Sequence, residues 1–135
     1  MSTFLYSQNN VSLIITINDK IITSPLGLSF RSQSSKKEFK ITYSPGKEID
    51  IINKDIFKEN TILEFDAYGD KKNLTKLYSY KINIEAGLFN DTSFLIIKIY
   101  NMNTKQYKKR RCKPKDSYIV GFENGRYHQD IFQCK

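Results

Sequence analysis

Short runs in which apolar and polar residues alternate recur along this chain and constrain its fold more than any other feature. Phe39, Ile41 and Tyr43 alternate with charged or hydroxyl side chains, and residues 78–84 repeat the pattern with tyrosines and isoleucines. Successive side chains of a β-strand point to opposite faces, so a two-residue repeat is typical of a strand with one face against the core. Both runs therefore predict half-buried strands.

Other strands are predicted where an apolar run of strand length lies between turn residues. These runs are residues 11–17, 26–30, 49–52, 61–65, 94–100 and 117–122. Ile21 and Ile22 lead to Pro25, where proline interrupts any strand ladder. The run at 94–100 is the most apolar in the chain. Such a run is typical of a strand in the centre of a sheet.

Two turns carry specific signals. Pro45-Gly46 lies in the middle of four turn residues, which indicates a type II turn and predicts a hairpin with the strands on either side. Asn124-Gly125 is the dipeptide most typical of a tight hairpin turn. It predicts a final hairpin whose second strand is residues 126–133.

Helical patterns are short by comparison. Residues 55–59 could form a single helical turn, and no longer run has a helical repeat. β-branched and aromatic residues are frequent, with nine Tyr and nine Phe, and these side chains suit strands. The sequence therefore predicts one all-β domain over residues 1–135. Its expected architecture is an antiparallel two-sheet β-sandwich, jelly-roll-like, with a closed β-barrel as the alternative.

Residues 105–115, which we call the basic segment, concentrate the charge of the chain. They contain seven basic residues, whereas the whole chain has 22 basic and 14 acidic residues and a net charge of +8. The 15 basic and 14 acidic residues outside the segment nearly cancel. The chain is therefore a nearly neutral body that carries one cationic element.

A dense group of like charges is typical of a surface that binds a polyanion, because bound phosphates or sulfates relieve the repulsion and release counterions. Arginines add planar donors for phosphate, and flanking tyrosines can stack on bases or sugar rings. We expect a non-enzymatic binding module whose partner is an anionic glycan, a nucleic acid or an anionic membrane surface. The expected binding residues are Lys105, Tyr107, Lys108, Lys109, Arg110, Arg111, Lys113, Lys115 and Tyr118. The structural alternative is a solvated loop, or an edge strand whose lysines discourage pairing.

The two cysteines allow two interpretations. A disulfide between Cys112 and Cys134 would clamp the basic segment to the last predicted strand, with a stabilisation of about 3 kcal/mol on a loop-entropy model. In a reducing compartment, Cys112 would instead be a free thiol whose thiolate is favoured by the neighbouring cations.

An enzymatic alternative uses the only histidine of the chain. A small basic ribonuclease-like toxin could use Glu123 as base, His128 as acid and Arg126 or Arg111 to stabilise the phosphate. On a strand, Arg126 and His128 would share a face. A third hypothesis is a structural protein that self-assembles into homo-oligomers through exposed strand edges and aromatic side chains.

We expect no metal and no cofactor. Asp66, Asp70 and Asp91 could ligate calcium, but they lie in turns without an EF-hand pattern. Residues 43–51 are similar to a strand–turn–strand of calcium-dependent galactose-binding sandwich lectins, which implies a lectin-like module. The clustered ligands of those lectins have no counterpart after Tyr100, so no site is carried over.

Targeting signals are not apparent in the chain as given. The first ten residues lack a signal-peptide pattern, and no apolar run is long enough for a transmembrane helix. These features predict a soluble protein that is cytoplasmic, is exported by a non-classical route, or is a mature form.

Overall fold

The computed structural model describes residues 10–50, 55–68, 77–89, 92–101 and 118–125, which form nine strands and two single-turn 3₁₀ helices. The strands are β1 (Asn10–Ile17), β2 (Lys20–Ile21), β3 (Leu26–Ser32), β4 (Glu38–Tyr43), β5 (Lys47–Asp50), β6 (Thr61–Tyr68), β7 (Leu77–Ile84), β8 (Phe94–Asn101) and β9 (Tyr118–Glu123). The 3₁₀ helices are Asp55–Lys58 and Ala86–Phe89.

These strands form two sheets packed on one core. The first sheet has the order β2-β1-β8-β9, with β5 also paired to β1, and the second has the order β4-β3-β6-β7. The predicted all-β two-sheet sandwich is confirmed, and the described strands do not close into a barrel. The most apolar run forms β8, which lies between β1 and β9 as predicted for a central strand.

Among the described strands, β1 and β8 form the one parallel pair, with Ile15 beside Ile97. A parallel pair needs a long connection, and here the strands of the second sheet lie between β1 and β8 in sequence. Because the two strands run in the same direction, the β1–β2 turn lies at the same end of the sandwich as the end of β8.

Alternation along the strands builds the core. Val11, Leu13 and Ile15 of β1 are fully buried, and the residues between them are partly exposed. In β7, Tyr80 and Ile82 are buried while their neighbours face solvent. The two-residue alternation in the sequence therefore matches the alternation of buried and exposed side chains in the structure.

The Pro45-Gly46 turn forms as predicted, but the predicted hairpin is wrong. Gly46 has a φ of +77°, and Lys47 N–H donates to Ser44 O at 2.9 Å, as in a type II turn. The turn carries the chain from β4 in the second sheet to β5 in the first, where β5 pairs with β1. Gly46 N–H donates to Leu13 O at 2.9 Å, so the turn itself docks on β1.

The predicted final hairpin starts at Asn124-Gly125, and its second strand lies outside the described residues. Gly125 has a φ of +87°, whereas Asn124 does not have a positive φ. A type I′ hairpin turn needs a positive φ at both central positions. Asn124 is instead fixed by its side chain, which donates to Leu88 O at 3.0 Å, and by its carbonyl, which accepts from Thr92 Oγ1 at 2.6 Å.

Candidate functional site

The connection between β8 and β9 carries the basic segment. Residues 102–117 lie outside the described residues, but the strands that they join do not. β8 ends at Asn101 and β9 begins at Tyr118, and these two residues are direct cross-strand partners. The connection therefore starts and finishes on adjacent positions of one antiparallel pair. We call the end of the sandwich that holds Asn18, Asn101 and Tyr118 the basic end.

Asn101 fixes the point at which the chain leaves β8. Only 5% of this residue is exposed. Its backbone N–H donates to Asn18 Oδ1 at 2.9 Å, and its side-chain Oδ1 accepts from the Tyr80 hydroxyl at 3.0 Å. Asn18 follows β1 in the first sheet and Tyr80 belongs to the second. Asn101 therefore joins the root of the connection, which is the point where the chain leaves β8, to both sheets.

The β1–β2 turn supports this root from the side. Asn18 and Asp19 have φ values of 53° and 67°, the pair of positive values that a type I′ turn requires. Short polar side chains tolerate this conformation better than others, which explains why Asn and Asp occupy the turn. Asp19 Oδ1 accepts from the Tyr100 hydroxyl at 2.7 Å, and Asn18 N–H donates to Ile99 O at 2.8 Å.

Tyr118 joins the two sheets where the connection enters β9. Its hydroxyl donates to Lys81 O at 3.0 Å and accepts from Lys81 N–H at 2.9 Å. Its ring meets the Tyr80 ring edge to face, with centroids 4.9 Å apart. Stacking of Tyr118 on a ligand stays a prediction, but the residue also has a structural role that the sequence did not indicate.

Tyr80 keeps its proton at this junction. Burial raises the pKa of Tyr80 to about 12. The hydroxyl is therefore neutral at physiological pH and remains a donor to Asn101. The Tyr80–Asn101 hydrogen bond at the root of the basic connection therefore keeps the same donor and acceptor at neutral pH.

The β6–β7 connection also leaves from the basic end. β6 ends at Tyr68 and β7 begins at Leu77, and this part of β7 lies just beyond Tyr80, which contacts Asn101. Residues 69–76 lie outside the described residues, and by composition their net charge is +2. Residues 102–117 have a net charge of +6, so the two connections together equal the net charge of the chain, +8. The stems of both cationic connections lie at one end of an otherwise neutral sandwich.

The residues of the ribonuclease hypothesis are not brought together by the described structure. Arg111, Arg126 and His128 lie outside the described residues. Glu123, the proposed base, accepts a hydrogen bond from Lys98 Nζ at 2.7 Å on the first sheet. The hypothesis stays a prediction. The predicted disulfide also falls outside the described residues, at both of its cysteines.

Metal ligands do not gather in the part of the chain that the structure describes. Asp66 accepts from Ser79 Oγ at 2.6 Å, and Asp70 and Asp91 lie outside that part. A shallow depression of about 490 Å³ between β3 and β4 is lined by Gly27, Leu28, Ser29, Lys40, Ile41 and Thr42. Its lining offers one ionisable side chain and no acid–base pair.

Glu59 is a carboxylate held by three donors, far from the basic end. Its Oε1 accepts from Ser32 Oγ at 2.7 Å and from Ser34 Oγ at 3.0 Å, and Lys37 Nζ lies 3.3 Å from Oε2. The two serine hydrogen bonds and then Lys37 lower the pKa of Glu59 to about 2. This carboxylate clamps the β3–β4 loop and is not available as a general acid.

We expect Glu59→Gln to lower the free energy of unfolding at neutral pH. We also expect it to reduce the dependence of that free energy on pH in acid. The folded pKa of about 2 lies below the ordinary value of 4.5, so the stabilisation from Glu59 is present above pH 4.5 and is lost as pH falls through 2. Plots of the free energy of unfolding against pH, obtained from urea unfolding of wild type and Glu59→Gln, should therefore converge in acid. Glu48→Gln, at an exposed position of β5, is the control. If the free energy of unfolding changes with pH equally steeply in wild type and in Glu59→Gln, the expectation is contradicted.

Comparison with known proteins does not assign a function to this chain. Within the described ranges, no helix is both long and apolar enough to span a membrane. A scan of protein-family models, a search of curated proteins and a search of solved structures found no match to this chain.

Proposed function

We propose that this protein is a non-enzymatic binding module that engages a polyanionic partner through the basic segment. The observation that carries the proposal is the concentration of the whole net charge in two connections whose stems lie at one end of the sandwich. Polyanion binding is driven by the release of counterions, and this release grows with the number of cations that reach the partner.

The root of the segment supports this function. A cationic connection that is anchored at both ends loses less conformational freedom on binding than a free tail would lose. Asn101 and Tyr118 anchor the two ends, and each is hydrogen bonded to the opposite sheet. The two ends of the connection that carries the charges are therefore held in place on the sandwich.

The proposal is tested by reversing two charges of the segment, Arg110→Glu together with Arg111→Glu. We expect heparin affinity to fall by about tenfold or more, and the slope of log affinity against log salt to become shallower by about two. The reason is that each cation that contacts the polyanion contributes roughly one unit to this slope. Affinity chromatography and titration calorimetry at several salt concentrations measure both quantities.

The matched control is Lys36→Glu together with Lys40→Glu, which changes the net charge equally but on the β3–β4 side of the sandwich. Both lysines are exposed, so the substitutions leave the fold intact. We expect this control to retain most of the affinity. Equal losses in the two double variants would mean that net charge alone governs binding, and the proposal would fail.

A further inference from the structure

The Asn124-Gly125 dipeptide, which the proposed function does not use, follows β9 at the end of the sandwich opposite to the basic end. An asparagine that precedes glycine loses its side-chain amide more readily than other asparagines, because glycine has no side chain to keep its backbone nitrogen away from that amide. Asn124 is 6% exposed, whereas Gly125 is open to solvent. This reactive pair therefore lies at the boundary between the core and water.

Two polar groups of Asn124 are held by the chain that precedes β8. Its Nδ2 donates to the carbonyl of Leu88 in the second 3₁₀ helix at 3.0 Å, and its own carbonyl accepts from Thr92 Oγ1 at 2.6 Å. The ring of Phe94 borders Gly125, since a Cβ atom there would lie 3.5 Å from two ring atoms. We call this set of contacts the closed arrangement of Asn124.

Deamidation of Asn124 has a defined chemical course. The backbone nitrogen of Gly125 bonds to Cγ of Asn124, the Cγ–Nδ2 bond breaks, and Nδ2 leaves as ammonia with the proton that Gly125 gives up. Water then opens the resulting succinimide at either carbonyl, which gives aspartate or isoaspartate, and nothing is oxidised or reduced. The nitrogen that leaves is the one that donates to Leu88, so the reaction requires this hydrogen bond to break.

We infer that Asn124 is a site of spontaneous deamidation, which the closed arrangement blocks and which local opening of this end of the sandwich permits. Proteins open locally at a lower cost than they unfold globally. A group that is protected in the closed state then reacts in proportion to the population of the open state. The rate of deamidation at Asn124 therefore reports how often this end opens.

The product of the reaction does not restore the closed arrangement. At neutral pH the side chain of aspartate has no proton to donate to the carbonyl of Leu88. Its charge would also lie at a position that is 6% exposed, where an unpaired carboxylate is costly. Deamidation therefore makes an opening event at this junction irreversible.

The site is tested by peptide mass spectrometry of the full chain, incubated at neutral pH in buffer and in guanidinium chloride. In guanidinium we expect Asn124 to lose its amide about tenfold or more faster than Asn60, which precedes threonine. In buffer we expect Asn124 to react about tenfold or more slowly than it does in guanidinium. Equal rates at Asn124 in the two solutions, or equal rates at the two asparagines in guanidinium, overturn the inference.

Thr92→Val tests whether the closed arrangement controls the reaction. This substitution removes the hydroxyl that donates to Asn124 and keeps the shape of the side chain. We expect the rate at Asn124 to rise about fivefold or more in buffer and to stay unchanged in guanidinium. Thr42→Val, at an exposed position of β4, is the matched control and should change neither rate. An unchanged rate in buffer for Thr92→Val overturns the control by these contacts.

Asn124→Asp reproduces one product of the reaction. We expect this variant to unfold at a lower guanidinium concentration than wild type at neutral pH, because it has lost the donor to Leu88. The matched control is Asn83→Asp, at an exposed position of β7, which should unfold at the wild-type concentration. Equal midpoints for wild type and Asn124→Asp would overturn the claim that deamidation makes the opening irreversible.

Discussion

Replacing Phe57 with alanine is expected to lower the free energy of unfolding by about 3–5 kcal/mol, the largest effect of any single change considered for this protein. Phe57 belongs to the 3₁₀ helix Asp55–Lys58 and is 3% exposed. Its ring meets those of Phe30, Phe39 and Phe89 edge to face, with centroid distances of 5.0, 5.7 and 5.1 Å. Removing the ring leaves a cavity bordered by three aromatic side chains.

Urea unfolding at neutral pH measures the loss. Because small domains have total stabilities of about 5–15 kcal/mol, the alanine variant should unfold at a much lower urea concentration. Phe57→Leu is the matched control, since it keeps most of the apolar volume and should cost clearly less. A loss below about 1 kcal/mol for Phe57→Ala would show that this 3₁₀ helix does not complete the core.

Tyr43→Phe is expected to cost about 1–3 kcal/mol, although it removes a single oxygen atom. Tyr43 ends β4, is fully buried, and bridges to the other sheet through its hydroxyl. The hydroxyl accepts from Ile15 N–H at 3.0 Å and donates to Ile22 O at 3.2 Å. On this edge of β1, β5 pairs with residues 10–13 and β2 with residues 16–17. Tyr43 supplies the acceptor for Ile15 in the gap between these strands, and phenylalanine would leave that buried donor without one.

The control for this variant is Tyr68→Phe, which removes a hydroxyl from a side chain that is 59% exposed. Because water solvates that hydroxyl, the change in the free energy of unfolding should stay within about 0.5 kcal/mol. Thermal and urea unfolding of both variants give the comparison. Equal stabilities of the two variants would contradict a role for Tyr43 in joining the sheets.

The strands could be predicted from sequence because alternation is a local property. The repeat in β7 already separates Tyr80 and Ile82, which are buried, from Lys81, which is not. Pairing between distant strands has no such local signal. The Pro45-Gly46 turn shows the limit, because a type II turn reverses the chain equally well within one sheet or between two. Here the turn leads to the other sheet, where Gly46 N–H donates to the carbonyl of Leu13 on β1.

The candidate site was predictable in part for the same reason. Clustering of charge is visible in the sequence, and so is the position of the basic segment after the central strand. The ties that hold its root are not visible, since Asn18 and Asn101 are 83 residues apart in sequence. The sequence predicts ligand stacking for Tyr118, because a tyrosine beside lysines fits that role. The same ring and hydroxyl also suit the junction with Tyr80 and Lys81, and sequence alone does not distinguish the two roles.

The salt dependence of heparin binding by the unmodified protein tests the central proposal most directly. With the seven cations of the basic segment engaged, we expect the affinity to fall by about 10³-fold or more between roughly 50 and 200 mM salt, in a straight line of log affinity against log salt. Titration calorimetry or fluorescence anisotropy at four or more salt concentrations measures the line. An affinity that does not change with salt over this range would contradict polyanion binding through the basic segment.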